Sequence, residues 1–102
     1  MNKLIKSLML VAGVTVVGLA NAATSPAETA GLCAANALII KKVADQAGIP
    51  KVSKLAQDQL TRNYSAYGNQ PGFKQAAEWQ LKQNVSADER LKIADGCTAQ
   101  GF

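Results

Sequence analysis

The chain of 102 residues contains no histidine, two cysteines, one tryptophan and only 5% aromatic residues. Without histidine it cannot form a Ser-His-Asp triad, a His-ligated zinc site or a CxxCH haem attachment. Its serines lack a histidine to activate them, and its scattered carboxylates do not offer the clustered oxygen ligands of a calcium loop. We therefore expect no catalytic residue, no metal site and no cofactor, and we predict that the protein is not an enzyme.

Charge is also scarce. The chain has 11 basic and 7 acidic residues, a net charge of +4. Lys3 and Lys6 lie in the first 22 residues, so the remaining chain has 9 basic residues against 7 acidic ones, a net charge of +2. That total is too small to predict binding to nucleic acid or to an anionic membrane.

The first 22 residues have the pattern of a secretory signal peptide. Two lysines precede an apolar run from Leu8 to Leu19, and Ala20-Asn21-Ala22 is an A-x-A cleavage site. A membrane-spanning helix needs about twenty apolar residues, and this run is shorter and interrupted by glycine. We predict a signal peptide at 1–22 and a single helical domain at 23–102, without a stable membrane anchor after cleavage, in the bacterial periplasm or outside the cell.

The rest of the chain contains four segments with helical periodicity and no alternating strand pattern. Ser25 and Pro26 begin the first segment, and Gly48 ends it. Pro50 begins the second, which ends at Gly68, and residues 68–72 are a strong turn signal. The third segment begins at Phe73 and the fourth follows Ser86. The pattern predicts an all-α fold, a small four-helix up-down bundle.

Apolar residues mark one face of each segment. In the first segment this face is a stripe of mostly small residues, which lets another helix pack closely: Ala30, Cys33, Ala37, Ile40, Ala44 and Ala47. The second segment has Val52, Leu55, Ala56, Leu60 and Tyr64 on one side, and the fourth has Leu91, Ala94 and Cys97. We expect these faces to form the core.

The two cysteines lie in the first and last segments. In an up-down bundle, Cys33 and Cys97 fall at the same end, and an oxidising destination favours a disulfide between them. A redox centre usually has its cysteines in a C-x-x-C motif, whereas these two are 64 positions apart. We predict a structural disulfide that links the first and last helices.

Four of the five aromatic residues surround the turn at 68–72, namely Tyr64, Tyr67, Phe73 and Trp79. One interpretation is that they form the apolar core at that end of the bundle. The other is a partner-binding patch, because protein interfaces favour tyrosine and tryptophan. Trp79 lies at the edge of its apolar face on a helical wheel and is the first residue to test.

These observations favour a small exported protein-binding module, of the size and layout of inhibitors of cell-wall enzymes and immunity proteins. Its partner would be an exported or periplasmic protein. Two alternatives remain open. One is a periplasmic stress chaperone that works by partial unfolding, triggered by carboxylate protonation at about pH 4. The other is a carrier of a small apolar ligand, held in a cavity of the bundle.

Overall fold

The computed structural model describes residues 25–102, so the predicted signal peptide lies outside the described residues. The described part consists of four helices: α1 (Pro26–Ala47), α2 (Pro50–Tyr67), α3 (Phe73–Leu81) and α4 (Ala87–Ala99). It contains no strand, and the prediction of an all-α four-helix fold is confirmed. None of these four helices has the length and hydropathy needed to cross a bilayer.

Local signals in the sequence determine where α1 begins and ends. The Ser25 hydroxyl accepts a hydrogen bond of 3.2 Å from the backbone N–H of Glu28, and Pro26 occupies the first helical position. At the other end Gly48 has a φ of 73°, a left-handed conformation that glycine adopts without steric cost. The predicted start and end of α1 are therefore confirmed, and Pro50 then begins α2.

The fourth helix has a cap of the same kind as the first. The hydroxyl of Ser86 accepts a hydrogen bond of 3.2 Å from the backbone N–H of Glu89. Asp88 and Glu89 lie in the first turn, where the positive end of the helix dipole stabilises negative charge. The acidic pair thus helps to begin α4.

The bundle is built around α1. This helix packs against each of the other three, which make few backbone contacts with one another. Of the predicted stripe of small residues, only Ala47 at the end of α1 is exposed, and the other five are buried. Small side chains let three helices approach one central helix closely, since each adds little width at the interface.

Gly31 is the point of closest approach between α1 and α3. A Cβ atom at this position would overlap the carbonyl oxygen of Phe73 and lie 3.1 Å from its carbonyl carbon and 3.2 Å from the Cβ of Ala76. Only glycine leaves enough room for the start of α3 to pack here, because the obstructing atoms belong to the backbone.

A disulfide joins Cys33 in α1 to Cys97 in α4, with 6.0 Å between their Cα atoms. Both cysteines are fully buried and form a core cluster with Leu32 and Ile93. The predicted disulfide between the first and last helices is confirmed. Disulfides persist in oxidising compartments, so this bond indicates such an environment.

Candidate functional site

The four predicted partner-binding aromatics have different environments. Phe73 is 5% exposed and is a core residue, packed with Ala30 and Ala34. Tyr64 is 63% exposed and meets the ring of Phe73 edge-on, with 5.7 Å between the ring centroids. Phe73 therefore contacts the Tyr64 ring but is itself too buried to contact a partner.

Tyr67 packs against the same core cluster as Phe73, whereas Trp79 does not belong to that cluster. The Tyr67 ring lies 5.8 Å from the ring of Phe102 and is partly buried. Trp79 lies on α3, is 38% exposed and has no ring-to-ring contact with another described aromatic residue. Tyr64 and Trp79 are thus the two accessible rings, and their role in binding stays a prediction.

A second apolar surface lies elsewhere, in a groove between α2 and α4. This α2/α4 groove has a volume of ≈ 600 Å³, with Ile40 of α1 among the residues that line it. Its remaining apolar lining is Val52, Leu55 and Ala56 from α2 and Leu91, Ala94 and Ala99 from α4. Charged side chains line it as well, namely Asp58, Arg62 and Asp95.

The groove exposes residues that periodicity alone placed in the core. Leu55 is 62% exposed and Leu91 is 45% exposed, whereas both were expected to be buried. The apolar faces of α2 and α4 are where the pattern placed them, but no further helix covers their outer edges in the described part of the chain. Two leucines therefore remain accessible beside an apolar depression.

Hydrogen bonds connect α2 to α4 at one end of the groove. The Gln59 side-chain amide donates to the carbonyl oxygen of Ala94 at 3.2 Å, to the hydroxyl of Thr98 at 3.2 Å and to the main-chain oxygen of Phe102 at 3.3 Å. The same Phe102 oxygen accepts bonds of 3.0 Å from Arg62 and from Asn63. Between Leu55 and Leu91, no described hydrogen bond joins the two helices, and there the groove is open.

A buried arginine holds α4 against α1 and α3. Arg90 is 3% exposed, and its guanidinium donates to the side-chain oxygens of Asn36 at 3.1 Å and Gln80 at 2.9 Å. It also donates to the carbonyl oxygens of Gln80 at 3.4 Å and Gln83 at 2.8 Å, and the Asn36 amide donates to the carbonyl oxygen of Arg90 at 2.9 Å. Arg90 has no acidic partner in the described part of the chain.

The charge of Arg90 is compensated by a helix end. The carbonyls of Gln80 and Gln83 belong to the last turn of α3 and the residues just after it, where the helix dipole is negative. Burial lowers the pKa of the Arg90 guanidinium below its ordinary value. The side-chain nitrogen of Gln80 is the one buried side-chain polar atom without a hydrogen-bond partner in the region 25–102. This cluster is a structural junction of three helices.

The described surface has an apolar groove but no metal-binding cluster. Between Ser25 and Phe102, no three His, Cys, Asp or Glu side chains converge in a way that could hold a metal ion. The groove instead combines accessible aliphatic side chains with a few charged ones, as in sites that bind helices and apolar ligands. The sequence signal for it was the pair Leu55 and Leu91, but periodicity could not separate these leucines from core residues.

Comparison of the chain with protein-family models, with curated proteins and with solved structures found no match.

Proposed function

We propose that this chain is a small exported helical module that binds another exported protein, of the inhibitor or immunity-protein kind, and that it is not an enzyme. The α2/α4 groove carries the proposal, because it leaves two leucines accessible beside an apolar depression of ≈ 600 Å³. The predicted signal peptide and the disulfide support a location in the bacterial periplasm or outside the cell. The absence of histidine from the sequence supports a non-catalytic role.

The shape of the groove favours a helical segment of the partner. The groove is lined by α2 and α4 with Ile40 of α1 between them, and a helix of the partner would pack its apolar residues at positions i, i+3 or i+4, and i+7 against this lining. Two acidic side chains, Asp58 and Asp95, line the groove against one basic side chain, Arg62, and this acidic excess favours a partner helix with lysine or arginine beside its apolar stripe. The expected partner is an exported protein with a basic amphipathic helix.

The experiment is capture from a periplasmic extract by immobilised, disulfide-linked protein lacking residues 1–22, with mass spectrometry to quantify each bound protein. Leu55→Asp and Leu91→Asp introduce a charge into the groove. Leu81→Asp is the matched control, because Leu81 is also an exposed leucine, at 47%, but lies on α3 outside the groove. Circular dichroism establishes that each variant is folded.

A partner lost at least tenfold by both groove variants and retained by Leu81→Asp supports the proposal. A second arm tests the aromatic residues with the double variant Tyr64→Ala and Trp79→Ala. If only that variant loses the partner, the function holds and the groove is the wrong surface. If no protein is retained above the level of an unrelated helical protein, protein binding is contradicted.

A second candidate function is carriage of a small apolar ligand. The volume of the groove, ≈ 600 Å³, lies within the range of ligand sites, about 300–1,000 Å³. Native mass spectrometry of protein isolated from its own cells would then show an added small mass. That mass should disappear in Leu91→Asp and remain in Leu81→Asp, whereas a bare protein mass in every preparation contradicts this candidate.

A further inference from the structure

The basic residues of the bundle are concentrated where α1 turns into α2. Residues 41–55, called the hairpin tip, contain one aspartate, Asp45, and four lysines: Lys41, Lys42, Lys51 and Lys54. The net charge of the tip is therefore +3. The other described residues carry five basic and six acidic side chains, a net charge of −1. The total charge is therefore small, although the positive charge is concentrated in the hairpin tip.

Hydrogen bonds neutralise the one aspartate of the hairpin tip. Lys41 donates to the Asp45 carboxylate at 2.7 Å, and the Ser53 hydroxyl donates to its other oxygen. Lys54 lies 3.4 Å from Asp58, with both side chains largely exposed, and such a pair is weak. Lys42 and Lys51 have no ion pair with any described residue. Lys42 and Lys51 are therefore available to an external partner, and Lys54 is held only weakly.

Aliphatic side chains protrude among these lysines. Ile49 lies in the turn between the two helices and is 46% exposed. Val43 on α1 is 49% exposed and Leu55 on α2 is 62% exposed, each six residues from Ile49. At about 1.5 Å per helical residue, these side chains lie within roughly 9 Å of the turn along the helix axes. This depth matches the ~5–10 Å by which apolar groups enter the headgroup region of a bilayer.

We propose that the hairpin tip is a reversible docking surface for an anionic lipid bilayer. Ile49 and its two aliphatic neighbours enter the boundary between headgroups and acyl chains, while Lys42 and Lys51 contact lipid phosphates. Leu55 also lines the α2/α4 groove, but Lys42, Ile49 and Lys51 do not, so substitutions at these three residues test the hairpin tip separately from the groove.

Two features favour a bilayer over other acidic partners. The tip is the convex end of a helical hairpin, whereas the anchoring side chains of protein interfaces fill pockets. Its exposed apolar residues are aliphatic, whereas single-stranded nucleic acids are bound by stacking on aromatic rings. A deformable surface with anionic headgroups above an apolar layer accommodates both the lysines and the aliphatic side chains.

The experiment is flotation of the disulfide-linked chain lacking residues 1–22 with vesicles of equal parts phosphatidylglycerol and phosphatidylcholine, compared with vesicles of phosphatidylcholine alone. We expect binding to the anionic vesicles that weakens with added salt. Each lysine near an anionic surface contributes about fivefold in partitioning. Lys42→Glu with Lys51→Glu should therefore reduce binding by roughly twentyfold or more. Lys74→Glu with Lys82→Glu makes the same charge change at exposed positions in α3 and directly after it, and should reduce binding far less.

A fluorescence measurement tests insertion independently of charge. Trp79 is the single tryptophan, so Ile49→Trp in a Trp79→Phe background places the only indole at the turn. Its emission should shift to shorter wavelength with anionic vesicles and not with phosphatidylcholine vesicles. The wild-type indole of Trp79 should show no such shift.

Several results would overturn the inference. One is equal binding to both kinds of vesicle. Another is an equal loss of vesicle binding in the variant of Lys42 and Lys51 and in the variant of Lys74 and Lys82. Absence of vesicle binding by the folded wild type is a third. Binding of an acidic polymer such as heparin, dependent on Lys42 and Lys51 but without vesicle binding, would assign the tip to a soluble polyanion instead.

Discussion

Replacing Gly31 by alanine should change the free energy of unfolding, and the sign of that change depends on the tertiary structure. Gly31 lies inside α1, and alanine favours a helix interior over glycine by about 1 kcal/mol. Helix propensity alone therefore predicts that Gly31→Ala stabilises the protein. In the structure, the added Cβ would overlap the carbonyl oxygen of Phe73 and lie 3.2 Å from the Cβ of Ala76.

The expected cost follows from which atoms must move. The overlapping oxygen belongs to the backbone at the start of α3, so no side-chain rotation relieves the contact. The α3 helix must shift outward, which loosens the packing of the buried Phe73 ring. Forcing extra volume into a packed contact costs up to about 3 kcal/mol. After the gain in propensity, Gly31→Ala should be less stable than wild type by about 2 kcal/mol.

The assay is urea unfolding of the oxidised protein, followed by circular dichroism of the helical signal. Lys42→Ala and Lys42→Gly provide the matched control, because Lys42 is an exposed position inside the same helix. The free energy of unfolding of Lys42→Ala should exceed that of Lys42→Gly by about 1 kcal/mol. If Gly31→Ala is as stable as the wild type or more stable, the close approach of α1 and α3 at this position is wrong.

Three further predictions concern polar and covalent links. Arg90→Met leaves the acceptors on Gln80 without their donor and should lower the free energy of unfolding by about 3 kcal/mol. Arg90→Lys should recover less than half of that loss, because one ammonium cannot replace the forked guanidinium. Full recovery by Arg90→Lys in urea unfolding would contradict this role of the guanidinium. Cys33→Ala with Cys97→Ala opens a loop of about 65 residues and should cost about 4 kcal/mol, and an unchanged urea midpoint would refute that value. Hydrogen bonds from Lys41 and Ser53 lower the pKa of Asp45 below 3.8. In acid the unfolded chain therefore binds more protons at this residue than the folded one, so the contribution of Asp45 to stability is present at neutral pH and is lost as the pH falls below about 4. Asp45→Asn should therefore show a shallower loss of stability between about pH 4 and pH 2, measured by urea unfolding at each pH, than the wild type.

Much of the fold could be predicted because its signals are local. Ser25 and Ser86 accept hydrogen bonds from N–H groups three residues later, so the start of each helix depends on a few neighbouring side chains. The disulfide could be predicted from the alternation of four short-linked helices together with an oxidising destination. The candidate site was harder to predict, because Leu55 has the same periodicity as a core residue and yet is mostly exposed.

Arg90 is a polar residue whose burial could not be predicted from the local sequence either. Near the start of a helix and beside acidic neighbours, it resembles a surface charge, but in the fold it is buried against the end of α3. Its acceptors include a residue 54 positions away, Asn36, and nothing in the local sequence connects the two. Long-range partners of this kind depend on how three helices pack.

The amino-acid sequence by itself determined the helix boundaries, the small-residue face of α1 and the presence of two cysteines able to bond, because capping, periodicity and turn propensity act over a few residues. The tertiary structure alone decided that Gly31 must remain glycine, that Leu55 and Leu91 border an open groove, and that the aliphatic residues of the hairpin tip stay exposed beside its lysines. The physical reason is that burial and proximity depend on which neighbouring helix covers a residue, and that choice is made only when all four helices pack together.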